Sequence, residues 1–115
     1  MQGEQVEADK KKGIDLMEKA ANAGNKTAAS NMSLAYRKGD GVEVNIEKSI
    51  EWAIKAAELG DDDRIFQYAV AYFNGEDPVT EDKAKAVEFF VLAANAGSST
   101  AMENLGVCYN NGYGV

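Results

Sequence analysis

The string LMEKAANAG at residues 16–24 returns as WAIKAAELG at 52–60 and again as FFVLAANAG at 89–97. Its closing glycines, Gly24, Gly60 and Gly97, stand 36 and 37 residues apart. Tyr36, Tyr72 and Tyr109 keep that spacing, as do Gly39, Gly75 and Gly112, while Val6, Val42, Val79 and Val115 follow in steps of 36, 37 and 36. Asp9, Asn45 and Asp82 share one register, and Lys12, Lys48 and Lys85 another. The one-residue slip has a local source, because the loop GEDPV is one residue longer than GDGV. A unit of this size cannot shield its own apolar side, so chains with such a period fold by stacking units on one another. The periods run over about 3–38, 39–74 and 75–111, and residues 112–115, GYGV, begin a further loop. Residues 1–115 therefore read as one repeat array, and its stop in mid-repeat leads us to expect a segment of a longer one.

Each period predicts two helices. Asp9, Asn45 and Asp82 are residue types that accept hydrogen bonds from the free N–H groups of a first helical turn. Beyond Asn45, the residues Ile46, Ile50, Ala53, Ile54 and Ala57 recur at helical spacing, with Trp52 beside them. Gly60 then offers a left-handed stop. Asn25, Asp61 and Ser98 follow the stop glycines and can cap the second helix, which ends near Gly39, Gly75 or Gly112. The spacing predicts six helices, at 8–23, 27–38, 44–59, 63–74, 81–96 and 99–111. Abundant alanine and a single proline favour the same state. The pairs Ala20–Ala21, Ala56–Ala57 and Ala93–Ala94, with Ser33, Ala69 and Gly106 in the second helices, would let neighbours approach closely. Leu16, Trp52 and Phe89 and the three register tyrosines are their large partners, small against large.

At these residues the chain resembles the Sel-one-like repeat family, a relative of the tetratricopeptide repeat. ASNMSLAYRKGDGVEVNIEKSIEWAIKAAELG follows the family pattern from Ala29, AMENLGVCYNNGYGV matches its first half, and VEADKKKGIDLMEKAANAG its second. The middle copy departs at Arg64, at Tyr68–Ala69 and in its longer loop. The resemblance implies an all-α fold: a right-handed α–α superhelix of three helix-turn-helix repeats with a concave and a convex face. It implies a non-catalytic scaffold for protein–protein recognition. It also implies that the apolar side of helix 99–111, with Leu105, Val107 and Tyr109, lacks its neighbour in this segment, so that the face is expected to be covered by a homodimer or by crystal contacts.

The residue types exclude much chemistry. There is no histidine, hence no Ser-His-Asp or Cys-His arrangement. The lone Cys108 cannot build a structural zinc site, and its register with Ala35 and Ala71 predicts a buried thiol. The G-x-G strings join helices instead of following a strand, so they predict turns and no phosphate cradle. Asp61, Asp62 and Asp63 lack the spacing of a calcium loop and predict a helix start. Lys10, Lys11 and Lys12 predict a solvated face. No metal or cofactor is expected. A net charge of −7 disfavours nucleic acid and anionic membranes. No stretch is long and apolar enough to insert in a membrane. MQGEQVEADKKK is no signal peptide, and one cysteine permits no internal disulfide, so neither feature marks the chain for export. Some cysteine-rich members of the resembled family have been linked to penicillin binding and β-lactam hydrolysis through repeats with paired cysteines. This chain has one cysteine and no S-x-x-K stretch, so that alternative carries no residues here. A spacer or oligomerisation module is a further alternative.

Residues 65–73, IFQYAVAYF, are apolar almost all round. Such a helix is buried on every side or presents one side to a partner. By the resemblance, the second helix of each period lines the concave face. That register turns Phe66, Val70 and Phe73 toward a groove, with Ser30, Leu34 and Arg37 before them and Glu103, Val107 and Asn110 after. Groove lining and ordinary core are both open to the phenylalanines. Asn31, Gln67 and Asn104 recur one step aside, placed either to bond a peptide backbone or to hold helices together. The expected partner is a protein or peptide with apolar anchors, to which Arg37 and Lys38 could add a charged contact.

Overall fold

A computed structural model describes residues 2–115, and the side chains of all of these except 2–5 and 7. The described residues form six helices and no strand: α1 (Gln2–Asn22), α2 (Lys26–Lys38), α3 (Ile46–Glu58), α4 (Asp63–Asn74), α5 (Lys83–Asn95) and α6 (Ser99–Asn111). Each packs on its neighbours in the chain, most extensively α2 on α3 and α4 on α5; α2 also touches α4, and α3 touches α5. Two layers result, α1–α3–α5 and α2–α4–α6. The body measures 57 × 27 × 16 Å with a radius of gyration of 15.6 Å. A compact globule of this length would have about 13 Å, so the helix pairs are strung out in a row. The fold is an all-α solenoid.

The repeated strings are helix punctuation. Gly60, at φ +103°, has open space around it, so its backbone conformation alone requires glycine. Its N–H reaches Ala57 O at 2.9 Å, and Asp61 N–H reaches Ala56 O at 2.8 Å. This paired closure recurs at Gly24–Asn25 and Gly97–Ser98, each time on the carbonyls of the alanine pair. Asn25 and Ser98, each the residue after a stop, then cap α2 and α6; at α4 the capping position falls on Asp62, whose side chain makes no cap bond, and Asp61 bonds from one residue earlier. Asn25 Oδ1 accepts from Ala28 N–H at 2.9 Å, Ser98 Oγ from Ala101 N–H at 3.0 Å, and Asp61 Oδ1 from Asp63 N–H at 3.1 Å. Asn45 and Asp82 cap α3 and α5 through Lys48 N–H and Lys85 N–H, both at 3.0 Å.

Asp9 does not cap. The expected start near residue 8 is replaced by a helix running from Gln2, with Gly3 and Asp9 inside it. The turn after α2 uses two left-handed glycines, Gly39 and Gly41, and the register of Gly41 is held by Gln5 in the first copy. Asn45 is also anchored by its N–H to Tyr36 O at 2.9 Å, and no described helix precedes α1 to offer such a carbonyl. Without the second glycine and the anchor, good helix formers simply continue.

The small positions pack as expected. Ala21, Ala29 and Ala56 meet in one fully buried cluster, and Ala53, Ala69, Ala86 and Ala93 in another. Of the three large partners, Phe89 is buried edge-on against Tyr72, with ring centroids at 5.5 Å. Trp52 is half-buried beside Tyr36. Leu16 is 67% exposed, contrary to its expected packing role. Its register faces the tyrosine of the preceding helix, and among the described residues α1 has none.

The unusual Tyr68 is accommodated by a buried hydroxyl group. Ser33 Oγ donates to Ser49 O and Ser49 Oγ to Ser33 O, each at 2.7 Å, so both serine protons are committed. The Tyr68 hydroxyl, 2.6 Å from Ser49 Oγ, is therefore the donor in that contact. Three polar side chains thus join α2, α3 and α4 without an unsatisfied atom.

Candidate functional site

The α2–α4–α6 layer carries two hollows, one on each side of Val70. The first, about 230 Å3, is lined by Val70, Phe73 and Asn74 of α4, Phe90 of α5, and Asn104, Val107 and Cys108 of α6. The second, about 310 Å3, lies between Arg37 and the α4 residues Phe66, Gln67, Val70 and Ala71, with Glu76 and Asp77 at its edge. Each is smaller than or at the low end of a small-molecule pocket.

The three α4 residues divide their surface between core and solvent. All are half-buried and pack against the central cluster. Phe66 meets the Phe90 ring edge-on at 5.9 Å, and Phe73 meets it at 6.5 Å. The Phe73 ring is also covered by Tyr113 at 5.6 Å and by Lys83 Nζ at 4.0 Å. That lysine donates to Phe73 O at 3.0 Å and pairs with Glu81 at 3.1 Å. Gly114 makes this arrangement possible: a Cβ there would stand 2.4 Å from Lys83 O.

Of the flanking residues, Leu34 is half-buried, while Glu103, Val107 and Asn110 are exposed on α6. Arg37 lies over the Tyr68 ring, its guanidinium 5.9 Å from the centroid. Ser30 is buried, and its hydroxyl accepts from Arg64 Nε at 3.3 Å, so it lines neither hollow. Asn31 and Gln67 are exposed and Asn104 is half-buried; Gln67 accepts from Arg64 of its own helix at 3.4 Å. Among the described residues, none of the three amides bonds from one helix to another. Phe90, which floors the first hollow, occupies the register of Ala53 in the preceding copy; that change of size is visible in the aligned strings FFVLAANAG and WAIKAAELG.

Burial and charge displace the Cys108 thiol and the Asp40 carboxyl from their ordinary ranges. Cys108 is 1% exposed, and burial pushes its thiol above the ordinary 9.0, with the charge of Lys83 working against that. The Asp40 carboxyl is held below 3.8 by a hydrogen bond and charge from Lys10, at 2.8 Å. Carboxylate oxygens of Asp61, Asp62 and Asp63 come within 4.8 Å of one another, at the exposed start of α4. No described helix is long and apolar enough to cross a membrane.

The frame of these elements is matched by the Sel1 repeat model over residues 1–25, 27–61, 65–98 and 99–115. The chain belongs to the Sel1 repeat family. The matched stretches divide this Sel1 repeat array into two whole units, α2–α3 and α4–α5, flanked by α1 and by α6. A crystal structure of a Sel1 repeat protein from Oxalobacter formigenes is 30% identical, with a TM-score of 0.67 over 90% of this chain and 77% of that one. The crystal structure of c5321, a protective antigen present in uropathogenic Escherichia coli strains and displaying an SLR fold, is 35% identical, with a TM-score of 0.65 over 91% of this chain and 22% of that one. The chitin synthase regulator SKT5 of Saccharomyces cerevisiae is 31% identical over 92% of this chain, which spans 16% of the regulator's length. Sel1 repeats are in general protein-interaction scaffolds and not enzymes.

Proposed function

We propose that this Sel1 repeat array holds a peptide or short helix on the α2–α4–α6 layer, with apolar side chains of the ligand entering the hollows on either side of Val70. The supporting observation is the half-open apolar stripe Phe66, Val70 and Phe73 on α4. Apolar surface beside concave space gains free energy when a partner removes it from water. Val107 and Asn104 form the far wall, and Leu34, Glu103 and Asn110 stand farther along. The exposed amide of Asn31 and the amide N–H groups of Gln67 can meet a peptide backbone, and Arg37 faces Glu76 and Asp77 across the second hollow, so the rim offers both signs of charge.

Panning a displayed random-peptide library on the protein tests this. Selected peptides should shift the NMR signals of Val70, Phe73 and Val107, and Val107→Asp should weaken them by about tenfold or more. Val107 is exposed, so that change leaves the fold intact. Peptides that map to the α1–α3–α5 layer, or that bind Val107→Asp unchanged, would overturn the reading.

A further inference from the structure

The most extensive pairings in the molecule are α2 with α3 and α4 with α5. Each joins the second helix of one period to the first helix of the next. Among the described residues, α6 lacks the helix that would follow in this pairing, and α1 lacks the helix that would precede. We infer that two copies of this chain associate head to tail, with α1 of one copy docking on α6 of the other in the register of the internal pairings.

The exposed faces are the ones this register requires. On α6, Met102, Gly106 and Tyr109 are exposed, at 54% for Met102 and 60% for Tyr109. Their counterparts Ala29 and Ser33 on α2, and Ile65 and Ala69 on α4, are buried under α3 and α5. On α1, Leu16 is exposed and Gly13 and Ala20 are half-buried, whereas their counterparts Ser49 and Ala56 on α3, and Ala86, Phe89 and Ala93 on α5, are buried. Superposing the register sets Leu16 of one copy on Tyr109 of the other, as Phe89 sits on Tyr72.

Two details favour a second copy over an unrelated occupant. Ser33 and Ser49 face each other closely enough to exchange hydrogen bonds at 2.7 Å. The equivalent positions are Gly106 and Gly13, and a Cβ at either would meet nothing within 4 Å, so two open glycines oppose each other where the backbones come closest. Lys48 Nζ lies 5.5 Å from the Tyr36 ring centroid and Lys85 Nζ 5.8 Å from that of Tyr72; Lys12 stands in the same register to Tyr109. The only charged residue of α6 is Glu103, so no row of like charge opposes the contact. Such a contact is heterologous: among the described residues each copy keeps one uncovered terminal helix, so association of residues 1–115 continues beyond a dimer.

Sedimentation velocity from micromolar to millimolar protein tests the inference. The weight-average mass should climb past that of a dimer. Leu16→Glu and Tyr109→Glu, both at exposed positions and with circular dichroism unchanged, should each weaken association by about tenfold or more. Mixed together they should form dimers and stop there, because one variant keeps an intact α6 face and the other an intact α1 face. A monomer at every concentration would overturn the proposal. So would a dimer abolished by Tyr109→Glu but indifferent to Leu16→Glu, which marks α6 pairing with itself. Peptide binding in the hollows is read separately on the monomeric variants, so either idea can fail without the other.

Discussion

Single side chains in this molecule act through what they leave unpaired when removed. Ser49→Ala would strand the buried Tyr68 hydroxyl proton and one lone pair on Ser33 O, at a cost of about 1–3 kcal/mol. Tyr68→Phe removes a donor and leaves only an acceptor short, so about 1 kcal/mol is expected. The double change should cost less than the sum of the two, and urea unfolding of the four proteins measures that coupling. Cys108 is governed by burial. Its thiol should resist Ellman's reagent at neutral pH until the protein unfolds. Because its pKa is raised in the folded state, its contribution is complete below the unfolded value and declines as pH climbs through and beyond it toward the folded value, above 9.0. Asp40 has the opposite sign: with its pKa depressed by Lys10, what it contributes is present above 3.8 and is lost as pH falls through the folded value. The pair is solvent-exposed, so Asp40→Asn should leave the neutral-pH melting temperature nearly unchanged.

At the scale of the element, the glycines separate two demands that one residue type can serve. Gly60→Ala meets no obstruction and should cost about 1–2 kcal/mol for its left-handed backbone alone. Gly114→Ala adds a collision with the Lys83 carbonyl and should lift the tail, freeing Tyr113 from the Phe73 ring, with loss of the nuclear Overhauser contacts between them as the readout. Five helices could be read from the sequence because their starts and stops are spelled by residues acting within a few positions: Asn45 on Lys48, Asp82 on Lys85, Gly97 on Ala94. The first helix misleads because Gln5 stands where the turn after α2 has its second glycine, Gly41, and the described residues offer no carbonyl like that of Tyr36 before it. The α4 surface was legible as an apolar excess, and the side of it left half-open follows from the register. That Phe90 rises beneath that surface, and that Lys83 and Tyr113 lean across Phe73, depends on contacts between copies that differ in sequence. The regular repeat carries no signal for the Lys83 and Tyr113 contacts, and Phe90 shows only as a departure from Ala53 when the copies are aligned.

For residues 1–115 as a whole, net charge and the exposed faces of α1 and α6 pull in opposite directions. A charge of −7 on each copy repels at long range, while the contact proposed between α1 and α6 is apolar. Self-association should therefore strengthen with added salt, which screens the repulsion and leaves the contact intact; light scattering across an ionic-strength series checks this. Hydrogen exchange should show the same ends from another side, with α2 to α5 protected longest and α1 and α6 exchanging first. A body 57 Å long and 16 Å thin has no interior that every helix shares. Each pair answers only to the pairs beside it, so tension applied between the termini is borne in series, link after link. Stretched in an optical trap, the protein should lengthen through several small yielding steps starting at its extremities, behaving as a soft spring where a globule of equal mass would hold and then rupture at once.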